Sequence, residues 1–435
     1  MGESAGTERK QVREDLLAAF QSALEAVGGR ARVAAWLQQH PCNATHVVAI
    51  GKAAAAMVAG AVDTLGDQIS AALVITKSGH GAEIDPTDPR LTCIEGAHPI
   101  ADERSLKAGQ ALWAFFAQAP QDAEFLVCIS GGASALVEVL AAGLDADFLS
   151  RCNAWLLASG LAIDDLNRIR KRISRIKAGR LAARVQGRAL TCLMISDVPG
   201  DEPGTIGSGL LVEHQPCDLD VGHLRLPGWL AEVTAQAPEL AAPEAFRSIR
   251  LDVVARPRDA CAAAARRLRR MGYKVLVHDQ VLQGDALAAG PRLVAASRDQ
   301  SAMVQVQSSE TTVVLPEHPG QGGRCQALAL AAAEHMRTDE LQVLLAAGTD
   351  GTDGPGDVAG ALVDCTSVPR GQAAGLDPDR CLREADAGRF LQATGDLLRT
   401  GPTGTNVMDL ILSWHAGARA NGLILNSHLK FARRL

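Results

Sequence analysis

The chain has 435 residues, 47% of them hydrophobic and only 3% aromatic, with a formal net charge of −6. That length exceeds one ordinary core of about 100–200 residues, so two domains are expected, and the acidic balance excludes a general nucleic-acid binder. No run of about 18 apolar residues is present to span a bilayer, the polar start Met1 to Lys10 lacks the apolar stretch of a secretory signal, and the ten cysteines form no C-x-x-C pair, which together lead us to expect reduced thiols and a cytoplasmic location.

Helical periodicity covers Leu16–Ala26 and Ala31–Gln39. Four short runs rich in Val, Ile and Leu follow, His46–Ile50, Ala72–Thr76, Phe125–Ile129 and Leu190–Ile195, and they read as buried strands of a parallel sheet with helices between them. From Gln215 to about Pro243 the pattern dissolves into Pro, Gly, Ala and polar residues, which places a boundary there: residues 1–243 as a Rossmann-like amino-terminal domain and 244–435 as a smaller α/β domain, whose last segment is free to pack back on the first. In the second part Ile249–Ala255, Lys274–Val277, Met303–Val306, Thr311–Leu315 and Val343–Ala346 read as strands, and Asp259–Arg270, Leu282–Ala296 and Gln326–His335 as helices.

In open α/β sheets ligands collect beyond the carboxyl ends of the strands, so the loops there carry the chemistry. Gly51-Lys52 opens an alanine-rich helix, where free N–H groups and a mobile cation suit an anion, although the spacing is not that of a Walker A loop. Ser130-Gly131-Gly132-Ala133-Ser134 offers close backbone approach and two hydroxyls to phosphate or carboxylate oxygens. Asn167 to Arg184 reads as a basic helix with eight cations and no acid, a field able to draw in an anionic substrate, part of which is simply a solvated face. Asp197, directly after an apolar run, is placed to hold Mg²⁺ or to accept a hydroxyl proton, or is an exposed acidic turn. The glycine-spaced Asp350 and Asp353 suit Mg²⁺ on nucleotide phosphates, while Gly354, Gly356 and Ala359 fit the G-x-G-x-x-A dinucleotide pattern. Arg324 follows a Gly-Gln-Gly-Gly turn, where a guanidinium can clamp a carboxylate or phosphate.

In this order the segments resemble the class II glycerate 2-kinases, whose carboxyl-terminal part is the MOFRL domain. The carriers are Ala49–Ala53, GAHPIADE at Gly96–Glu103, SGGASAL at Ser130–Leu136, NRIRKRISRIK at Asn167–Lys177, SDVPGDEPGTIGSG at Ser196–Gly209, Gly348–Gly354 and GPTGTNVMD at Gly401–Asp409. The resemblance implies ATP-dependent, Mg²⁺-assisted phosphorylation of D-glycerate at its 2-hydroxyl in a cleft between two domains. It implies Lys52 and Arg324 as catalytic residues flanking the transferring phosphoryl group. Asp197 is the expected proton acceptor, Asp350 and Asp353 the expected metal ligands, and Gly51, Ser130, Gly131, Gly132, Ser134, Asn167, Arg170 and Lys177 the expected substrate or phosphate contacts. The partners are then ATP and a small hydroxy acid, with a homo-oligomer left open.

Some positions depart from the family pattern. Cys325 and Ala327 follow Gly322-Gly323-Arg324 where an asparagine and a glutamate are usual, Ser308-Ser309 stand before Glu310 in place of two glycines, and Arg256 or Pro257 replaces an asparagine. Two alternatives therefore stand beside the kinase: an NAD(P)H-dependent hydroxypyruvate reductase, the other name given to family members, and a non-catalytic relative that binds small hydroxy acids.

Overall fold

The computed structural model describes residues 2–300 and 302–416. Two sheets organise them, and the chain divides into two compact units.

One unit spans Leu24–Ala260 with Pro402–Met408. Its six strands are β1 His46–Ile50, β2 Ala71–Lys77, β3 Leu91–Gly96, β4 Phe125–Ile129, β5 Leu190–Ile195 and β6 Ile249–Ala255, all parallel in the order β3-β2-β1-β4-β5-β6. This is the Rossmann order, with its switch point between β1 and β4, where the connections leave in opposite directions. β1 and β4 are buried at every residue because helices cover both faces, which is why their sequences are continuous apolar runs. Val48, Ile50, Val127 and Ile129 pack with Leu112 and Phe116 of the helix Glu103–Gln118. Each such burial contributes about 1.5–3 kcal/mol. That helix starts at a capping box formed by Asp102 and Ser105.

The other unit comprises Met1–Ala23, Cys261–Gly401 and Asp409 onward. Its strands are β7 Lys274–Val277, β8 Leu282–Asp285, β9 Met303–Thr312, β10 Gln342–Gly348, β11 Gly360–Asp364, β12 Leu397–Leu398 and β13 Asp409–His415. They run in the order β12-β11-β10-β13-β9-β7, with β8 also on β9. β7 and β8 lie parallel to β9, while the pairings of β10, β11, β12 and β13 are antiparallel. The helices Ala286–Asp299 and Arg324–Glu334 cover it, packed closely because Gly290 lies against the Ala332 backbone.

Several sequence expectations change. Ile249–Ala255 is a strand as expected, but it pairs with β5 in the first sheet. Leu282–Ala296 is not one helix: Leu282–Asp285 pairs as β8, and the Asp285 carboxylate then caps the helix Ala286–Asp299 by accepting from the Leu287 N–H. Met303–Val306 and Thr311–Leu315 are not two strands. Pairing is continuous over Met303–Thr312, and Val314 and Leu315 lie exposed beyond it. The basic helix ends at Arg172, because Ser174 pairs in an antiparallel bridge with Leu140, and the left-handed Ala178 and Gly179 further on keep the segment from continuing as one helix to Arg184. The tail beyond residue 416 lies outside the described residues. Among the described residues no helix is long and apolar enough to cross a membrane.

Candidate active site

The loops after β1 and β4 meet at the switch point. Gly51 has φ of 131°, and a Cβ there would overlap the Ser130 side chain and backbone, so only glycine lets the loops close together. The Lys52 N–H donates to the Gly131 carbonyl at 2.9 Å, and the Ala53 N–H donates to Ser130 Oγ at 3.0 Å. Ser130 is fully buried. Its hydroxyl fastens the two loops at the start of the helix Ala54–Leu65, whereas the sequence suggested a phosphate contact.

Gly131 and Gly132 form a floor on which four side chains converge. A Cβ at Gly131 would overlap Asn406 Nδ2 and Asp197 Oδ2, and Asn406 donates to that Asp197 oxygen at 2.9 Å. A Cβ at Gly132 would stand 3.0 Å from His98 Cδ2, 3.2 Å from His98 Nε2 and 3.4 Å from Lys52 Cγ. Lys52, Asp197 and the glycine pair, all expected site residues, are thus brought together. Asn406 and His98 join them without having been singled out as site residues. Their only sequence signal is membership of the GPTGTNVMD and GAHPIADE segments. His80 adds a contact from Nδ1 to the Lys52 carbonyl at 3.3 Å.

The remaining contacts expected in this unit are tied to protein groups. Ser134 Oγ lies 2.7 Å from Ser208 Oγ. Asn167 accepts from Arg170 at 3.3 Å. Lys177 is 1% exposed and ion-paired with Glu138, whose other oxygen accepts from Ser174 Oγ at 2.6 Å. The sequence suggested a substrate contact for Lys177, but its ammonium is directed at an internal carboxylate, since a buried cation needs a partner. Arg172 donates to the Thr234 and Leu219 carbonyls, and Arg180 to those of Pro238, Glu239 and Lys171. Burial, helped by Arg172, lowers Arg180 to about 10. Much of the apparent positive field therefore satisfies backbone carbonyls.

In the other unit Arg324 is the first residue of the helix Arg324–Glu334. Its Nε meets Asp409 Oδ2 at 2.7 Å, its Nη2 meets Asp409 Oδ1 at 3.1 Å, and its Nη1 pairs with Glu310. Burial works against the charge, but Asp409 and Glu310 outweigh it and raise the guanidinium above its usual range. Asp350 and Asp409 converge over Gly348, their Oδ1 atoms 3.2 and 3.5 Å from where its Cβ would be. Asp409, like Asn406, was found only by the fold.

Asp353, expected as a metal ligand, does a different job. Its two oxygens accept from the Cys325 and Gln326 N–H groups at 3.0 and 2.8 Å. Among the described residues no cluster of three or more His, Cys, Asp or Glu side chains is placed to hold a metal ion. The Gly354-Gly356-Ala359 pattern leads into strand β11 rather than a helix, so it lacks the helix N-terminus on which a dinucleotide pyrophosphate rests.

Glycine loops at a Rossmann switch point, with a cation, a carboxylate and an amide over them, define an α/β protein of the anion-binding, group-transfer class. Two family models match, the domain of unknown function DUF4147 over residues 15–221 and the MOFRL family over residues 303–409. The chain is 32% identical to glycerate 2-kinase of Pyrococcus horikoshii, over 85% of this chain and 86% of that one, and 32% identical to D-glycerate 2-kinase of Thermotoga maritima, over 84% and 89%. A putative hydroxypyruvate reductase of Agrobacterium vitis is 34% identical over 92% and 93%. The crystal structure of glycerate kinase from Thermotoga maritima superposes with a TM-score of 0.79 at 29% identity, covering 94% of this chain and all of that one. The chain belongs to the glycerate 2-kinase family, built from DUF4147 and MOFRL domains, and the fold and the enzyme class expected from sequence are those of that family.

Proposed function

We propose that the chain transfers the γ-phosphoryl group of ATP to the 2-hydroxyl of D-glycerate. The observation that carries this reading is the convergence of Lys52 and Asp197 on the Gly131-Gly132 floor. Phosphoryl transfer asks little covalent chemistry of a protein and much positioning and charge stabilisation. Lys52 supplies positive charge to the transferring group, and the bare glycines make room for Asp197 and Asn406 beside it. Asp197, oriented by Asn406, takes the proton of the attacking hydroxyl as its oxygen bonds to phosphorus, while the bond from phosphorus to the β–γ bridging oxygen breaks and ADP leaves. Arg324 is the proposed cation of the MOFRL unit. A divalent ion carried by the nucleotide phosphates needs only one or two protein carboxylates, and Asp350 is the group we assign to it. A cytoplasmic setting suits the ten free cysteines.

The reductase alternative lacks its cofactor loop, since Gly51-Lys52 is not a dinucleotide fingerprint. A coupled assay separates the readings. The kinase requires ATP-dependent ADP release with D-glycerate that falls about 10²–10³-fold in Lys52→Ala. Oxidation of NADH or NADPH by hydroxypyruvate without ATP contradicts it, and glycerate binding without turnover supports the non-catalytic relative.

A further inference from the structure

The first turn of a helix leaves N–H groups without partners, and a side-chain oxygen at the preceding residue normally takes one. Before Arg324 that position is Gly323, which has no side chain to offer. Asp353 substitutes from a distant loop. Its Oδ1 accepts from the Cys325 N–H and its Oδ2 from the Gln326 N–H, while Gln326 Nε2 donates back to Oδ2 and to the Asp353 carbonyl, both at 3.0 Å. Asp353, Cys325 and Gln326 are 5%, 1% and 3% exposed, so bulk water is not there to replace these bonds. A Cβ on Gly323 would overlap Asp353, and one on Gly354 would overlap the Gly322 carbonyl, so the glycines allow the two loops to lock.

We infer that Asp353 is a positioning residue for Arg324, fixing through the helix start the direction in which the guanidinium is presented. A guanidinium carries five N–H donors. Here Nε and Nη2 engage Asp409 and Nη1 engages Glu310, which leaves one further N–H on each terminal nitrogen. Those two are donors that a carboxylate or phosphate oxygen can take, and the side chain is 34% exposed. Such a cation is useful only if aimed, because a misplacement of about 1 Å costs on the order of 10²-fold in rate. Asp353 sets the aim from beneath without touching the ligand.

The catalytic part of the test rests on the kinase reading. In folded Asp353→Ala, kcat/KM for D-glycerate falls about 10–100-fold. Asp353→Asn, which keeps one acceptor oxygen, recovers part of the loss. On an Arg324→Lys background the Asp353→Ala loss shrinks, because the two changes act on one element, whereas a general weakening of the fold adds to it. The crystal structure of Asp353→Ala, which needs no activity, shows Arg324 displaced from Asp409. Arg324 still seated on Asp409 with kcat/KM within about twofold of wild type, or losses that simply add, overturns the inference. If the wild-type chain does not phosphorylate glycerate, the kinase reading fails and the crystal structure alone decides the role of Asp353.

Discussion

Asn406 holds Asp197 by an amide-to-carboxylate hydrogen bond of 2.9 Å, and both side chains press on the bare Cα of Gly131. Asn406 is 6% exposed, and it reaches the first sheet from a short segment far along the chain. The bond fixes one Asp197 oxygen and so decides which way the other faces.

Removing that amide therefore lowers kcat. A hydrogen bond to a charged group contributes about 1.5–3 kcal/mol, so Asn406→Ala is expected to lose roughly 10–100-fold, with a much smaller change in KM for ATP. Steady-state kinetics check this. An unchanged kcat removes Asn406 from the positioning of Asp197.

Gly131→Ala places a methyl where Asn406 Nδ2 and Asp197 Oδ2 already lie. The chain must push both aside, at a cost of about 1–3 kcal/mol in stability. We expect a folded protein by circular dichroism, a lowered unfolding midpoint, and turnover reduced beyond what the unfolded fraction explains.

Lys177 and Glu138 are a buried pair, so breaking it leaves an uncompensated charge inside. Lys177→Ala is expected to destabilise by about 3–5 kcal/mol in denaturant unfolding, and Lys177→Met with Glu138→Leu to recover most of that. A substrate-binding lysine would instead raise KM and leave stability intact.

Asp353 is pushed up to about 6, first by burial and then by Asp409, against the hydrogen bonds it accepts from Cys325 and Gln326. Its ordinary value is 3.8. The folded chain thus holds this proton more tightly than the unfolded one. Stability from this group falls as pH rises from about 4 to about 6, and the penalty is complete above that. The rise from 3.8 to about 6 corresponds to about 3 kcal/mol. Between pH 4.5 and 7.5 the unfolding free energy of Asp353→Asn should therefore gain on wild type by an amount of that order. Parallel pH dependences in the two proteins contradict the raised value.

The sheet of the first unit was legible because its central strands are buried on both faces. β1, β4 and β5 appear in sequence as mainly apolar runs, interrupted only by His46 and Thr191, with bounds that coincide with the structure. β3 was not, since an edge strand exposing Thr92 and Cys93 carries no such run. That Lys52, Asp197 and the glycine pair stand in loops at strand ends was legible, because those loops follow apolar runs in the sequence. Asn406, His98 and Asp409 were not, because each acquires its meaning from a contact remote in sequence. Lys177 and Asp353 were legible as charged residues but not in their jobs. Burial turns one cation inward to Glu138 and one carboxylate onto a helix start, and neither fact has a local signature.

Transfer of a phosphoryl group to the 2-hydroxyl of D-glycerate is measured most directly by identification of the product. The purified chain, incubated with ATP and D-glycerate, should yield a compound with the mass and fragmentation of 2-phosphoglycerate, in amounts matching the ADP formed. Formation of 3-phosphoglycerate, or no phosphorylated acid while hydroxypyruvate is reduced at the expense of NADH, contradicts it.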